Sequence, residues 1–256
     1  MDIATLIGLG VAFGSVILAI FLEGSNPMSV ILPAPMILVL GGTLGAGLAT
    51  TTLADFIRAF RSLPQFLLYK RRAAAETVDL VVSLTDRARR EGLLALEESA
   101  RDIDDPFLRD GLQSAIDGTD PEDLREMLEA RVDARRARDR TMAKIFTDMG
   151  GFAPTIGIIG TVVSLVHVLE NLADPSSLGH MIAAAFVATL WGLLSANLIW
   201  LPIAARIKRV SELETVHMEM AMEGLLAVQA GSSPRVVGQR LWTLVGEEPP
   251  AAKEAA

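Results

Sequence analysis

Seven polar side chains interrupt two long apolar stretches of this chain, and none carries a fixed charge. Thr155, Thr161, Ser164 and His167 lie within 150–169, and Thr189, Ser195 and Asn197 lie within 181–205. Polar groups are costly in a low-dielectric medium, so their presence there points to an ion or substrate path. Hydroxyls and an amide can replace part of a cation's hydration shell or hold a water chain, but they do not titrate near neutral pH. No Asp, Glu, Lys or Arg lies well within either stretch, and Glu23 and Glu170 fall at segment ends. His167 is the only titratable candidate. Its place near the far end of its stretch favours an interfacial or packed imidazole over a relay. If the chain conducts ions, a partner has to supply the titrating carboxylate.

Other chemistries are poorly served. The chain has no Cys, which removes disulfides and thiolate catalysis. Its three His residues are scattered without a nearby acid pair, and there is no HExxH, GxSxG or phosphate-cradling glycine loop. No enzyme activity, cofactor or metal site is expected. A net charge of −8 argues against nucleic-acid binding.

The elements that must position these groups follow from hydropathy and charge. The chain has 256 residues and is 51% hydrophobic. Crossing a bilayer takes about 20 mainly apolar residues, and 3–22, 30–52, 150–169 and 181–205 each meet that length. Arg58 is the first basic residue. The basic residues number 17 in 58–144, none in 145–205 and 6 in 206–256. Cytoplasmic segments retain such an excess. The reading is an all-α, four-helix transmembrane subunit with a large helical cytoplasmic insert, a cytoplasmic C-terminal helix and both termini in the cytoplasm. Residues 1–52 hold the first two spans and a short outer turn, 53–149 the cytoplasmic domain, 150–205 spans three and four, and 206–256 the C-terminal helices and tail. The first apolar run lacks a basic flank and exceeds the length of a signal peptide's core, so no cleavable leader is expected.

Within 53–149 the helical pattern is punctuated at Pro64, Gly92, 104–106 and 117–121, with Thr119 or Asp120 as N-cap of a helix starting near Pro121. After the fourth span an amphipathic helix carries Ile207, Val210, Leu213, Met218, Met220 and Leu225, and 231–234 breaks it. A short helix with Val236, Val237, Leu241 and Leu244 follows, then a tail from Glu247 expected to be disordered. Small residues recur every four positions at Ala184, Ala188, Gly192 and Ala196, with a second stripe at Gly157, Gly160 and Ser164. Such stripes permit close helix contact in lipid.

Three motifs carry a family likeness: Met149-Gly-Gly-Phe-Ala-Pro-Thr-Ile-Gly-Ile-Ile-Gly-Thr-Val162, Val187-Ala-Thr-Leu-Trp-Gly192 followed by Asn197 and Pro202, and Arg89-Arg-Glu-Gly-Leu-Leu-Ala-Leu-Glu-Glu98. Together, in this order, they resemble the A subunit of the bacterial flagellar stator, the MotA/PomA family, over nearly the whole chain. The resemblance implies a ring of five A subunits around two B subunits in the bacterial inner membrane. Each B subunit would contribute one transmembrane helix with an essential Asp. Ion flow would turn the ring and drive the rotor protein FliG, and so swimming and chemotaxis.

Residue by residue, Thr161 and Thr189 match the pore-lining threonines beside the B-subunit Asp, and Asn197 matches a fourth-span Asn of the sodium-type branch. Pro154 and Pro202 match prolines that couple conformation to protonation. Arg89, Arg90, Glu97 and Glu98 match the rotor-facing charges. Without the resemblance these four read as a solvated face. Sodium-type members tend to have two consecutive threonines where this chain has Ala188-Thr189, and an acid near Leu32. Both departures favour H+ as the transported ion. Asn197 and the overall spacing look closer to the sodium branch, so Na+ stays open. The alternative is an ExbB/TolQ-type proton channel energising an outer-membrane process. It resembles the same Gly/Thr-rich spans but has three spans and places its soluble parts differently.

Overall fold

Helix formation here follows the punctuation by Gly, Pro and capping side chains. The computed structural model describes residues 4–70, 72–173 and 175–245, all as helices and connecting turns with no strand among them. The tail from Glu247 lies outside the described residues. We label the helices α1 (Ala4–Leu22), α2 (Pro33–Ala49), α3 (Leu53–Leu67), α4 (Ala74–Glu91), α5 (Glu97–Arg101), α6 (Pro106–Ile116), α7 (Pro121–Glu170), α8 (175–229) and α9 (Pro234–Val245). Short 3-10 turns at Pro27–Val30 and Leu93–Leu96 precede α2 and α5.

Contacts divide the chain into two units, 1–70 with 139–210, and 71–138 with 211–256. In the first, apolar unit, α1, α2, the C-terminal part of α7 and the N-terminal part of α8 carry no Asp, Glu, Lys or Arg over their apolar lengths. Its core includes Ala59, Phe66, Phe146, Met149, Ala153, Ala196, Trp200 and Ile207. Many of its large apolar side chains face outward, among them Ile158, Ile159, Val162, Val163 and Phe186. That inverts the usual soluble pattern and suits a lipid solvent. The second, charged unit has an ordinary interior: Val81, Leu96, Leu108, Leu112, Leu124, Leu128, Leu225 and Leu241 are almost fully buried.

Several sequence expectations land closely. Asp120 caps α7, its carboxylate accepting the Glu122 N–H at 2.9 Å. Asp105 does the same for α6 through the Phe107 N–H. Gly92 and Gly231 adopt φ of +88° and +64°, a left-handed backbone that only glycine takes without strain, and they end α4 and α8.

Others are corrected. Pro64 does not break its helix: it sits in the last turn of α3, where the one lost bond is tolerated, and its carbonyl still accepts the Leu68 N–H. The helix of the second apolar stretch is shorter than 30–52, because residues 27–32 form the 3-10 turn and an extended link before Pro33. Helix α7 runs 50 residues without interruption, from the expected insert into the third apolar stretch. The helix of the fourth apolar stretch begins at Pro175 rather than near 181, and Pro at its start costs no bond.

Candidate functional site

Small residues decide how close α7 and α8 come. A Cβ added to Gly157 would stand 3.0 Å from the Ala188 carbonyl oxygen and 3.3 Å from Thr189 Cα. One added to Gly192 would stand 2.8 Å from the Ala153 carbonyl oxygen and 3.3 Å from Pro154 Cα. Backbones therefore touch at this level. Gly157 lies one turn before Thr161, and Gly192 one turn after Thr189.

The close approach brings the two hydroxyls together, with Oγ1 atoms 2.5 Å apart. Thr161 Oγ1 also lies 3.0 Å from the Ala185 carbonyl oxygen and 3.2 Å from that of Gly157. Carbonyls only accept, and a hydroxyl has one proton to give. Thr161 thus donates to a carbonyl, and Thr189 donates to Thr161. The remaining lone pairs of the Thr189 oxygen are left for an incoming donor. Both threonines are half-buried, so the pair is reachable.

Pro154 approaches Gly192 on α8 and lies about two helical turns before Thr161. Lacking an N–H, it cannot bond to the Gly150 carbonyl, yet α7 continues through it. On α8 a π turn spans Ala196–Trp200, in which the Leu201 N–H donates to the Ala196 carbonyl. Pro202 follows directly and has no donor for Leu198. A second π turn, Ile37–Gly41, lies within α2. Such turns concentrate at functional sites.

Asn197 is not part of the threonine pair. Its Nδ2 donates to the Leu193 carbonyl at 2.9 Å, and its side chain lines a cleft of about 410 Å³ facing α1. His167 is exposed, beside Asn171 and Glu170, and shares a largely apolar cavity of about 540 Å³ with His180 and Ser164. Sequence reasoning missed the Trp191 indole, which donates to the Val30 carbonyl at 2.7 Å and ties the 3-10 turn before α2 to α8.

In the charged unit, Arg89 and Arg90 close α4, Glu97 and Glu98 open α5, and all four are exposed. Arg90 pairs with Asp86 at 2.8 Å, and Glu97 with Arg101 at 3.0 Å. Arg89 and Glu98 make no ion pair among the described residues. The connection between the two helices is held by Arg87, which bonds Ser99 Oγ at 2.7 Å and Glu91 at 3.1 Å.

A second feature went unread in the sequence. Asp105 pairs with Arg72 and faces His217 Nε2 at 2.8 Å, with both carboxylate and imidazole largely buried. Burial pushes the Asp105 carboxyl up, but the His217 hydrogen bond, the Arg72 charge and the Phe107 N–H outweigh it and hold the group at about 2. These three residues pin α6 and α8 together within that unit. Among the described residues no cluster of His, Asp or Glu could hold a metal ion.

Residues 99–220 match the MotA/TolQ/ExbB proton channel family, and residues 6–92 match the motility protein A N-terminal model. The chain is 36% identical to motility protein A of Bacillus subtilis (strain 168), over 94% of this chain and 90% of that protein. The chain belongs to the motility protein A family. It is 33% identical to chemotaxis protein PomA of Vibrio alginolyticus over 96% of each. The solved flagellar MotAB stator complex from Bacillus subtilis aligns with a TM-score of 0.85 at 35% identity, over 92% of this chain and 93% of that one. The C. jejuni MotAB structure shares the fold with a TM-score of 0.92 over 99% and 100%.

Membership makes the chain a membrane-embedded ion-channel subunit of the flagellar stator and not an enzyme. The N-terminal match, to a motility protein A model, favours the stator over the alternative of a channel that energises an outer-membrane process.

Proposed function

We propose that the Thr161–Thr189 pair is one wall of a proton path whose titrating acid belongs to a partner B subunit. The observation that carries this is the pair itself: two hydroxyls held in contact, with acceptor capacity to spare, in apolar segments that contain no acid or base at depth. The Bacillus subtilis relative is a complex of A and B subunits, which supports a partner for this chain.

The chemistry follows from hydroxyl bookkeeping. A protonated partner carboxyl donates to the spare lone pairs of Thr189. An ionised one instead accepts a hydrogen bond from the Thr189 hydroxyl, which then turns away from Thr161. The two charge states of the partner thus demand two arrangements of one small network. Neutralising the acid also removes the cost of a charge in a low-dielectric site. Each elementary charge moving through 100 mV supplies about 2.3 kcal/mol, enough to bias such a two-state wall. Pro154, about two turns before Thr161, and Pro202, after the π turn, are the points where α7 and α8 yield most easily.

Around this site we place five copies of the chain about two B helices, in the bacterial inner membrane with both termini in the cytoplasm. Arg89, Arg90, Glu97 and Glu98 face the rotor protein FliG. Exposed charges give fast, reversible encounters. The basic residues confined to 58–144 and 206–256 support the orientation. The single hydroxyl at Ala188-Thr189, with Leu32 where an acid would favour sodium, supports H+ over Na+.

The test is swimming of cells relying on this chain and its B subunit, with a proton uncoupler or with sodium withdrawn. Loss of motility with the uncoupler alone supports the proposal. Loss on sodium withdrawal alone overturns the choice of ion.

A further inference from the structure

The cleft between α1 and α8 has two chemically distinct ends. Its walls are apolar, with Leu9 and Ala12 on α1 and Leu198 and Ala205 on α8, and Arg206 and Arg209 stand at one end. The Arg206 side chain is anchored, its Nε donating to the Phe66 carbonyl at 3.1 Å, while Arg209 is exposed. From Asn197 to Arg206 is nine residues, about 13 Å along a helix, and Arg209 lies about 5 Å further. One leaflet of the hydrocarbon core is about 15 Å deep. The cleft therefore runs from headgroup level to about mid-bilayer, with its cationic end where a phosphate would sit.

We propose that this cleft is a binding site for an anionic phospholipid, with Arg206 and Arg209 on the phosphate and one acyl chain along α1 and α8. Charge complementarity and length choose the occupant. Arginine forks match phosphate oxygens, and basic pockets between membrane helices bind acidic headgroups. The site adjoins the π turn at Ala196–Trp200 and Pro202, so the lipid would brace the segment of α8 that carries the hinge. The assignment needs only membrane embedding and stands whether or not the threonine pair carries protons.

Native mass spectrometry of the full chain, purified with its B subunit and exposed to equimolar phosphatidylglycerol and phosphatidylcholine, tests it. Each cationic side chain is worth about fivefold at an acidic lipid, so phosphatidylglycerol is expected to be retained preferentially by at least about that factor. Arg209→Gln is expected to lower the preference about fivefold. Ala12→Trp, which fills the wall and leaves both arginines, is expected to displace lipid of either headgroup. Equal retention of the two lipids, or a preference unchanged by Arg209→Gln in a complex of normal mass, overturns the proposal. So does disulfide trapping between copies carrying Leu9→Cys and Leu198→Cys respectively, since the native chain has no Cys and a bond there means that a neighbouring copy fills the cleft.

Discussion

The hydroxyl of Thr189 ends a one-way chain of hydrogen bonds. It donates to Thr161, 2.5 Å away, and Thr161 donates to a backbone carbonyl of α7 or α8. The partner acid would meet this network at Thr189, so the two threonines are not equivalent. Thr189→Val removes the group proposed to face the acid and should abolish motility. Thr189→Ser keeps the hydroxyl and should retain a measurable fraction of it. Each change costs only about 1 kcal/mol of stability, so complex yield should hold while swimming speed separates the variants.

Gly157 and Gly192 set the distance that makes this contact. A methyl at Gly192 meets the Ala153 carbonyl at 2.8 Å, and backbone cannot move aside as a flexible side chain would. Gly192→Ala should destabilise the subunit by about 1–3 kcal/mol. Gly179→Ala, where nothing lies within 4 Å, is the control. Thermal unfolding in detergent should show a lowered midpoint for the first and little change for the second.

Asp105 gives the charged unit a defined acid sensitivity. Its carboxyl titrates at about 2 in the folded chain and near 3.9 when unfolded. Its contribution is fully present above about pH 4 and is lost as the pH falls towards 2. Asp105→Asn should therefore be less stable than wild type at pH 6, and the gap should close between pH 4 and pH 2. Equal pH dependence of the two unfolding midpoints would show that Asp105 does not anchor α6 to α8.

Among the four exposed charges proposed to face the rotor, structure separates pairs that sequence cannot. Arg90 and Glu97 are engaged on their own helices, whereas Arg89 and Glu98 make no ion pair among the described residues. If FliG is the partner, reversing Arg89 and Glu98 should reduce swimming speed more than reversing Arg90 and Glu97. Motility assays of the two double variants at matched expression check the order.

Much of the architecture was legible because membranes simplify it. Apolar length and the confinement of basic residues give the segments, and Gly92, Asp105-Pro106, Asp120-Pro121 and Gly231 each leave a local chemical mark at a helix end. The two π turns were not legible, since a turn of wider pitch has no composition of its own; Pro202, just beyond one of them, is the sole hint. Thr161 and Thr189 stood among seven polar residues of similar type, and only the family likeness paired them. A physical signal was present in Gly157 and Gly192, one turn from each threonine, which let the helices close where the hydroxyls meet. The Arg72–Asp105–His217 cluster joins residues 33 and 112 positions apart, and no local pattern announces it.

On the proposed function, this chain provides hydroxyl walls while its partner provides the acid. Proton flux into liposomes measures that directly, with the chain alone, with its B subunit, and with a B subunit whose membrane Asp is changed to Asn. Flux is expected only with the unaltered B subunit, and Thr189→Val in this chain should abolish it. Full flux from the chain alone would contradict the proposed function.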